Sequence, residues 1–156
     1  MNTAAAKSPD TSPSVYPIRR FGPVDLTTRG AWLYSRLRAR YPTIPDRDFQ
    51  GWLYGFEGSN ECWFNCTDNA VALFQIVKER LSPQPTAVEQ FVLVTDKTDI
   101  GHIDEGAFLY DQMMLWARGI GAKEALVQVM SDIPNEVIEQ RIGTRLLLRK
   151  QFFARV

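Results

Sequence analysis

Residues Gly106 to Asp132 read GAFLYDQMMLWARGIGAKEALVQVMSD, and this stretch decides the fold. Ala107, Leu109 or Tyr110, Met113, Met114 and Ala117 recur at helical spacing, which predicts one apolar helix face. Gly119 and Gly121 follow, and glycine is the residue most tolerant of the left-handed geometry that ends a helix. Ala125 to Met130 then reads as a strand. A helix, a glycine stop and a buried strand in immediate succession are the repeating unit of proteins that pack helices on a sheet.

The flanking sequence extends this unit in both directions. Upstream, Val88 to Thr95 is an apolar, β-branched strand leading into the turn Gly101-His102-Ile103-Asp104-Glu105-Gly106. Downstream, Asp132 to Ile142 reads as a short helix with Pro134 in its first turn, Gly143 stops it, and Leu146 to Val156 alternates as a closing strand. In the first half, Val15 to Arg19 is a short strand. Asp25-Leu26-Thr27-Thr28 offers caps for a helix through Trp32, Leu33, Leu37 and Tyr41, ended by Pro42. Pro45 and Asp46 open a second helix carrying Phe49, Trp52, Leu53 and Phe56, and Glu57-Gly58-Ser59-Asn60 is a turn. Glu61 to Asn65 and Ala70 to Lys78 form a predicted hairpin across Thr67-Asp68-Asn69, with a loop at 81–85. The first fourteen residues, MNTAAAKSPDTSPS, carry too little apolar surface to fold alone and read as an arm, leaving 15–156 as one domain.

Composition agrees with that division. A chain of 156 residues with 45% hydrophobic and 23% charged residues is an ordinary globular domain. Its core should bury roughly two thirds of the extended-chain surface without metals or disulfides. No run of about 18 apolar residues is present and the N-terminus lacks an apolar signal core, so the expected location is the cytoplasm or a particle assembled there. Cys62 and Cys66 flank Trp63-Phe64-Asn65; packed thiols, a redox pair and a metal site completed by carboxylates all remain open. Net charge is zero but unevenly spread. Residues 1–50 hold eight Lys/Arg against four acids, 51–143 six against fourteen, and 144–156 four against none. Such asymmetry fits an anionic partner or complementary surfaces within one assembly.

The order β-α-α-β-β-β-α-β-α-β, and residues 88–143 in particular, resemble the GNAT superfamily of N-acetyltransferases. The resemblance implies an α/β fold with a GNAT-like mixed central sheet flanked by helices, and a central helix that cradles the pyrophosphate of acetyl-CoA. Members typically carry R/Q-x-x-G-x-G/A at that helix start, where bare N–H groups meet phosphate. Registering Gly106 on the last glycine places Gly101 where Arg or Gln belongs and Asp104 where the middle glycine belongs. Asp104 adds a Cβ and a negative charge beside a dianionic group, so Asp104 and Glu105 are expected to cap the helix and fill the anion site themselves. The tyrosine that family members place four residues before a glycine in the last helix is Glu139 here, counted from Gly143, and Thr144 replaces the following aromatic.

Three functions follow from these residues. In the first, the chain is a non-catalytic structural or assembly protein with a degenerate acetyltransferase-like fold and no cofactor, similar to small GNAT-like proteins of tailed bacteriophages, some of them virion components. Its arm would dock on a protein partner or a second copy, steered by Lys7, Arg19 and Arg20. The aromatic residues Trp32, Tyr34, Tyr41, Phe49, Trp52, Tyr54 and Phe56 would fill the acceptor site or form a binding surface. In the second, the chain is an acetyl-CoA-dependent N-acetyltransferase with an atypical cofactor loop. Glu61 at a strand entrance, Tyr110 and Glu139 would then be the catalytic candidates, with His102 as a further titratable group, and Val92, Val94, Gly101 and Gly106 would contact the cofactor. The third, a nucleic-acid-binding module, rests on charge asymmetry alone.

Overall fold

A computed structural model describes residues 16–56, 58–78 and 84–142. Five strands, β1 (Arg19–Arg20), β2 (Cys62–Cys66), β3 (Ala70–Val77), β4 (Thr86–Val94) and β5 (Glu124–Leu126), lie side by side in chain order. All neighbours are antiparallel except β4 and β5, which run parallel. Helices α1 (Pro23–Arg40) and α2 (Asp46–Phe56) precede β2, α3 (Ile100–Gly119) joins β4 to β5, and α4 (Asn135–Ile142) follows. The mixed sheet flanked by helices is the expected fold class. The arm, Gly143, Thr144 and the expected strand at 146–156 lie outside the described residues.

Each helix start has a local cause. Pro23 begins α1 with a φ already suited to helix, and Asp25 folds back to accept a hydrogen bond from Gly22 N at 3.0 Å. Asp25 is therefore inside the helix and not its entry cap. Helix α3 begins six residues before Gly106, because Asp99 accepts hydrogen bonds from Gly101 N at 2.8 Å and His102 N at 3.2 Å. Its far end closes as expected. Gly121, at φ +82°, lets Ala122 N reach back to Ala117 O at 2.9 Å.

The sheet separates two apolar layers. Ala70, Ala72 and Phe74 of β3 join Val92 and Val94 of β4 beneath Ala107, Tyr110, Met113 and Met114 of α3. Val71 and Leu73, with Phe64 of β2 and Phe91 and Leu93 of β4, meet Leu33 and Leu37 of α1 and Phe49 and Leu53 of α2 on the opposite face. This is the period-2 alternation of strands buried on both sides.

One interruption of that alternation positions the site. The β3–β4 register runs Leu73 opposite Phe91 and then Phe74 opposite Glu89, so Gln90 is an extra residue on β4. The bulge turns Glu89 toward α3 and leaves Gln90 and Phe91 toward α1 and α2.

Candidate functional site

Strands β4 and β5 pair over only three residues, Thr86–Val88 against Glu124–Leu126, and then part. The expected strand from Ala125 to Met130 ends early because Gln128 adopts φ +67°. That left-handed position costs an L side chain on the order of 1 kcal/mol. Glu89 fills the gap so formed. It accepts hydrogen bonds from Gln128 N at 3.0 Å, Met130 N at 2.8 Å and the Tyr110 hydroxyl. Tyr110 Oη shares a further bond with Ser131 Oγ at 2.9 Å. Both Glu89 and Tyr110 are buried, and burial pushes the Glu89 carboxyl above its ordinary range. Burial first, then the neighbouring carboxylate, pushes the Tyr110 hydroxyl well above 10.

Beyond Glu89 the seam closes again through side chains and backbone. Val92 N donates to Met130 O and Asp132 N to Val92 O, both at 2.9 Å. Val94 N donates to Asp132 Oδ2 at 2.9 Å, and Arg36 bridges Val94 O, at 3.1 Å, to the same carboxylate. Thr95 N donates to Asn69 O at 3.0 Å. The two strand positions expected to meet a cofactor, Val92 and Val94, thus have their N–H groups engaged within the chain.

The start of α3 is filled in the same manner, though by a different residue from the one expected. The Asp99 carboxylate takes the first N–H groups of the helix, including that of Gly101, so the expectation that Asp104 and Glu105 would cap it is corrected. Both lie inside the helix. Asp104 instead binds the Tyr16 hydroxyl and Arg141, at 3.1 Å for the latter. Glu105, buried, ties the β2–β3 turn through Thr67 Oγ1 at 2.6 Å, Asn69 N at 3.0 Å and Asn69 Nδ2 at 2.9 Å. Gly106 is a packing glycine: a Cβ there would stand 2.3 Å from Ile133 Cδ1 and 3.1 Å from Val94 Cγ1. His102 Nδ1 lies 3.2 Å from Thr95 Oγ1.

The remaining candidates do not converge. Glu61 is exposed just before β2, Glu139 is exposed on α4, and Tyr110 is in the core against Glu89. Arg19 pairs with Asp25, and Arg20 donates to Phe56 O at 3.3 Å and Ser59 O at 2.8 Å, so both basic residues serve contacts within the domain. Lys7 lies outside the described residues. Cys62 and Cys66 are free and buried, and burial pushes the Cys66 thiol up to about 11. Among the described residues, no group of three His, Cys, Asp or Glu is placed to hold a metal, and no helix is long and apolar enough to cross a membrane.

The residues that close the seam, Glu89 and Asp132, and the one that caps α3, Asp99, were not singled out by sequence reasoning. A visible signal existed for Glu89, an acid inside the apolar run Thr86-Ala87-Val88-Glu89-Gln90-Phe91-Val92. The signal for Asp99 was an acid followed two and three residues later by helix-start donors.

An open cavity of about 420 Å³ lies on the other face of the bulge. Leu37, Tyr41, Ile44, Phe49, Trp52 and Met130 give it an apolar lining, while Asp48 and Gln90 supply its polar groups. Tyr41, Ile44, Trp52 and neighbouring Tyr54 remain partly exposed.

No family model matches the sequence, and no curated protein matches it. Solved structures do match. An acetyltransferase-like protein from an Arthrobacter species, described as a putative acetyltransferase, superposes with a TM-score of 0.65 at 15% identity, over 94% of this chain and 100% of that one. Two aminoglycoside 6'-N-acetyltransferases also superpose. The Acinetobacter baumannii protein does so with a TM-score of 0.57 at 17% identity, over 91% and 99% of the two chains. The Acinetobacter haemolyticus protein gives 0.56 at 12%, over 90% and 98%. At these identities the likeness is one of architecture, and together with the strand order and the α3 crossover it shows that the chain has the GNAT acetyltransferase fold.

Proposed function

We propose that this chain is a GNAT-fold binding protein that works through protein contacts and not through acetyl-CoA. The observation that carries the proposal is the filled seam: Glu89 occupies the gap between β4 and β5, and Asp132 and Met130 take the N–H groups of Val94 and Val92. Acetyl-CoA, which the fold implies, does not fit these residues. A pyrophosphate at the start of α3 would face the Asp99 carboxylate, already bonded to the donors it needs, and a pantetheine along β4 would find its partners taken.

Binding by the other face is supported by the apolar cavity between α1, α2 and the bulge, whose half-exposed aromatic rim suits an apolar side chain of a partner. The finer reading, assembly into a particle such as a phage virion with residues 1–14 as a docking arm, rests on the weak cofactor motif and the arm's composition. Calorimetric titration with acetyl-CoA and with CoA tests the proposal. No saturable heat is expected up to millimolar ligand, and a micromolar dissociation constant would overturn it.

The second reading, an N-acetyltransferase with an atypical cofactor loop, is favoured by one observation: the cavity opens beside the bulge residue Gln90. Acetyl transfer to amines by the purified protein, measured as CoA release, would establish it in place of the first.

A further inference from the structure

Glu89 is a carboxylate in the interior whose partners are all neutral. Its acceptors are met by the N–H groups of Gln128 and Met130 and by the Tyr110 hydroxyl. The backbone that brings these two N–H groups onto one carboxyl turns through a left-handed residue, Gln128 at φ +67°. The chain thus holds a backbone turn through a left-handed residue, filled by a carboxyl group, in the gap where β5 leaves β4. The turn is completed by a second layer, since Ser131 Oγ bonds Tyr110 Oη at 2.9 Å and accepts from Ile133 N at 3.1 Å. Hydrogen bonding within a sheet does not require any of this. A parallel continuation of β5 along β4 would have satisfied the same N–H groups without the left-handed turn.

We infer that residues 128–130 with Tyr110 form a carboxylate-binding site whose resident ligand is the chain's own Glu89, a contact that holds the β4–β5 seam shut. The inference deepens the reading that the seam does not take acetyl-CoA and rests on that reading for its functional meaning. Its geometry stands apart. The bulge at Gln90 is what delivers the carboxylate, because without the extra residue position 89 would point toward α1 and α2. Removing the side chain while keeping the turn leaves a pocket sized for a small carboxylate, such as acetate.

Chemical rescue tests this. The thermal midpoint of Glu89→Ala is measured against sodium acetate, with sodium chloride and acetamide as matched controls, beside the unaltered protein. Acetate is expected to raise the midpoint of Glu89→Ala saturably, by about 5 °C at ten times its dissociation constant. Acetamide and chloride should not do so, and the unaltered protein should not respond. Equal effects of acetate and its controls, or an equal response of the unaltered protein, would overturn the inference. Should Glu89→Ala not fold, Glu89→Gln supplies the second readout. Measured above the raised Glu89 value, the amide protons of Gln128 and Met130 are expected to move upfield when the carboxylate is replaced by an amide, and unchanged shifts would contradict a carboxylate held by these donors. Tight CoA binding by the unaltered protein would remove the functional meaning but not the site, whereas failed rescue would remove the site alone.

Discussion

The two faces of the sheet are finished in opposite ways. Toward α3 and α4, the carboxylates of Glu89, Asp104 and Glu105 each have named partners, and β4 is sealed to the 128–132 segment. Toward α1 and α2, an open cavity keeps half-exposed aromatic rings at its rim, and Asp48 and Gln90 line it. The difference teaches where this chain can interact. The backbone donors of Val92 and Val94 are engaged within the chain on one side, whereas half-exposed aromatic rings rim a cavity on the other.

The largest expected effect comes from opening the sealed side. Glu89→Ala leaves the N–H groups of Gln128 and Met130 without their acceptor and leaves the Tyr110 hydroxyl with Ser131 alone, at a cost of about 3 kcal/mol or more, read by denaturant unfolding. A loss below about 1 kcal/mol would mean the seam is not held by this residue. Glu89→Gln sharpens the point through pH. Because burial raises the folded-state pKa of Glu89 above its ordinary 4.5, its ionisation works against folding. Stability of the unaltered protein should therefore decline from this source as pH rises from near 4.5 through the raised value, and Glu89→Gln should lack that decline. Identical pH profiles would contradict the buried, neutral-partnered setting.

Smaller effects separate the faces further. Asp99→Ala removes the cap of α3 and should cost about 1 kcal/mol, whereas Glu139→Ala, exposed on α4, should cost within about 0.5 kcal/mol. The smallest effect belongs to the open side. Ile44→Ser at the cavity rim should leave the unfolding free energy within about 0.5 kcal/mol while weakening partner capture. A large stability loss there would show that the rim is core and not a binding surface.

Much of the architecture was legible in the sequence because it rests on periodicity. The inward stripe from Ala107 to Ala117, the glycine stop and the hairpin across 67–69 all follow from apolar spacing and turn chemistry. The start of α3 was not, since Ile100, Gly101 and His102 interrupt the apolar pattern and the helix is begun by one side-chain cap. The seam was hidden for a different reason. An acid in a strand reads as solvent-facing, and only the extra residue at Gln90, invisible to a period-2 pattern, turns Glu89 into the interior. The missing middle glycine of the turn could be read from Asp104, but the residue that caps the helix start is Asp99, five positions earlier.

The central claim is that the donors of β4 and of the α3 start are occupied by the chain itself. Its most direct test is the backbone amide spectrum of the labelled protein, followed at Val92, Val94, Gly101 and His102 as CoA is added to millimolar concentration. The account predicts that these four amides stay in place. Saturable, concerted shifts at Val94 and Gly101 would contradict it and return the chain to the cofactor-binding members of its fold.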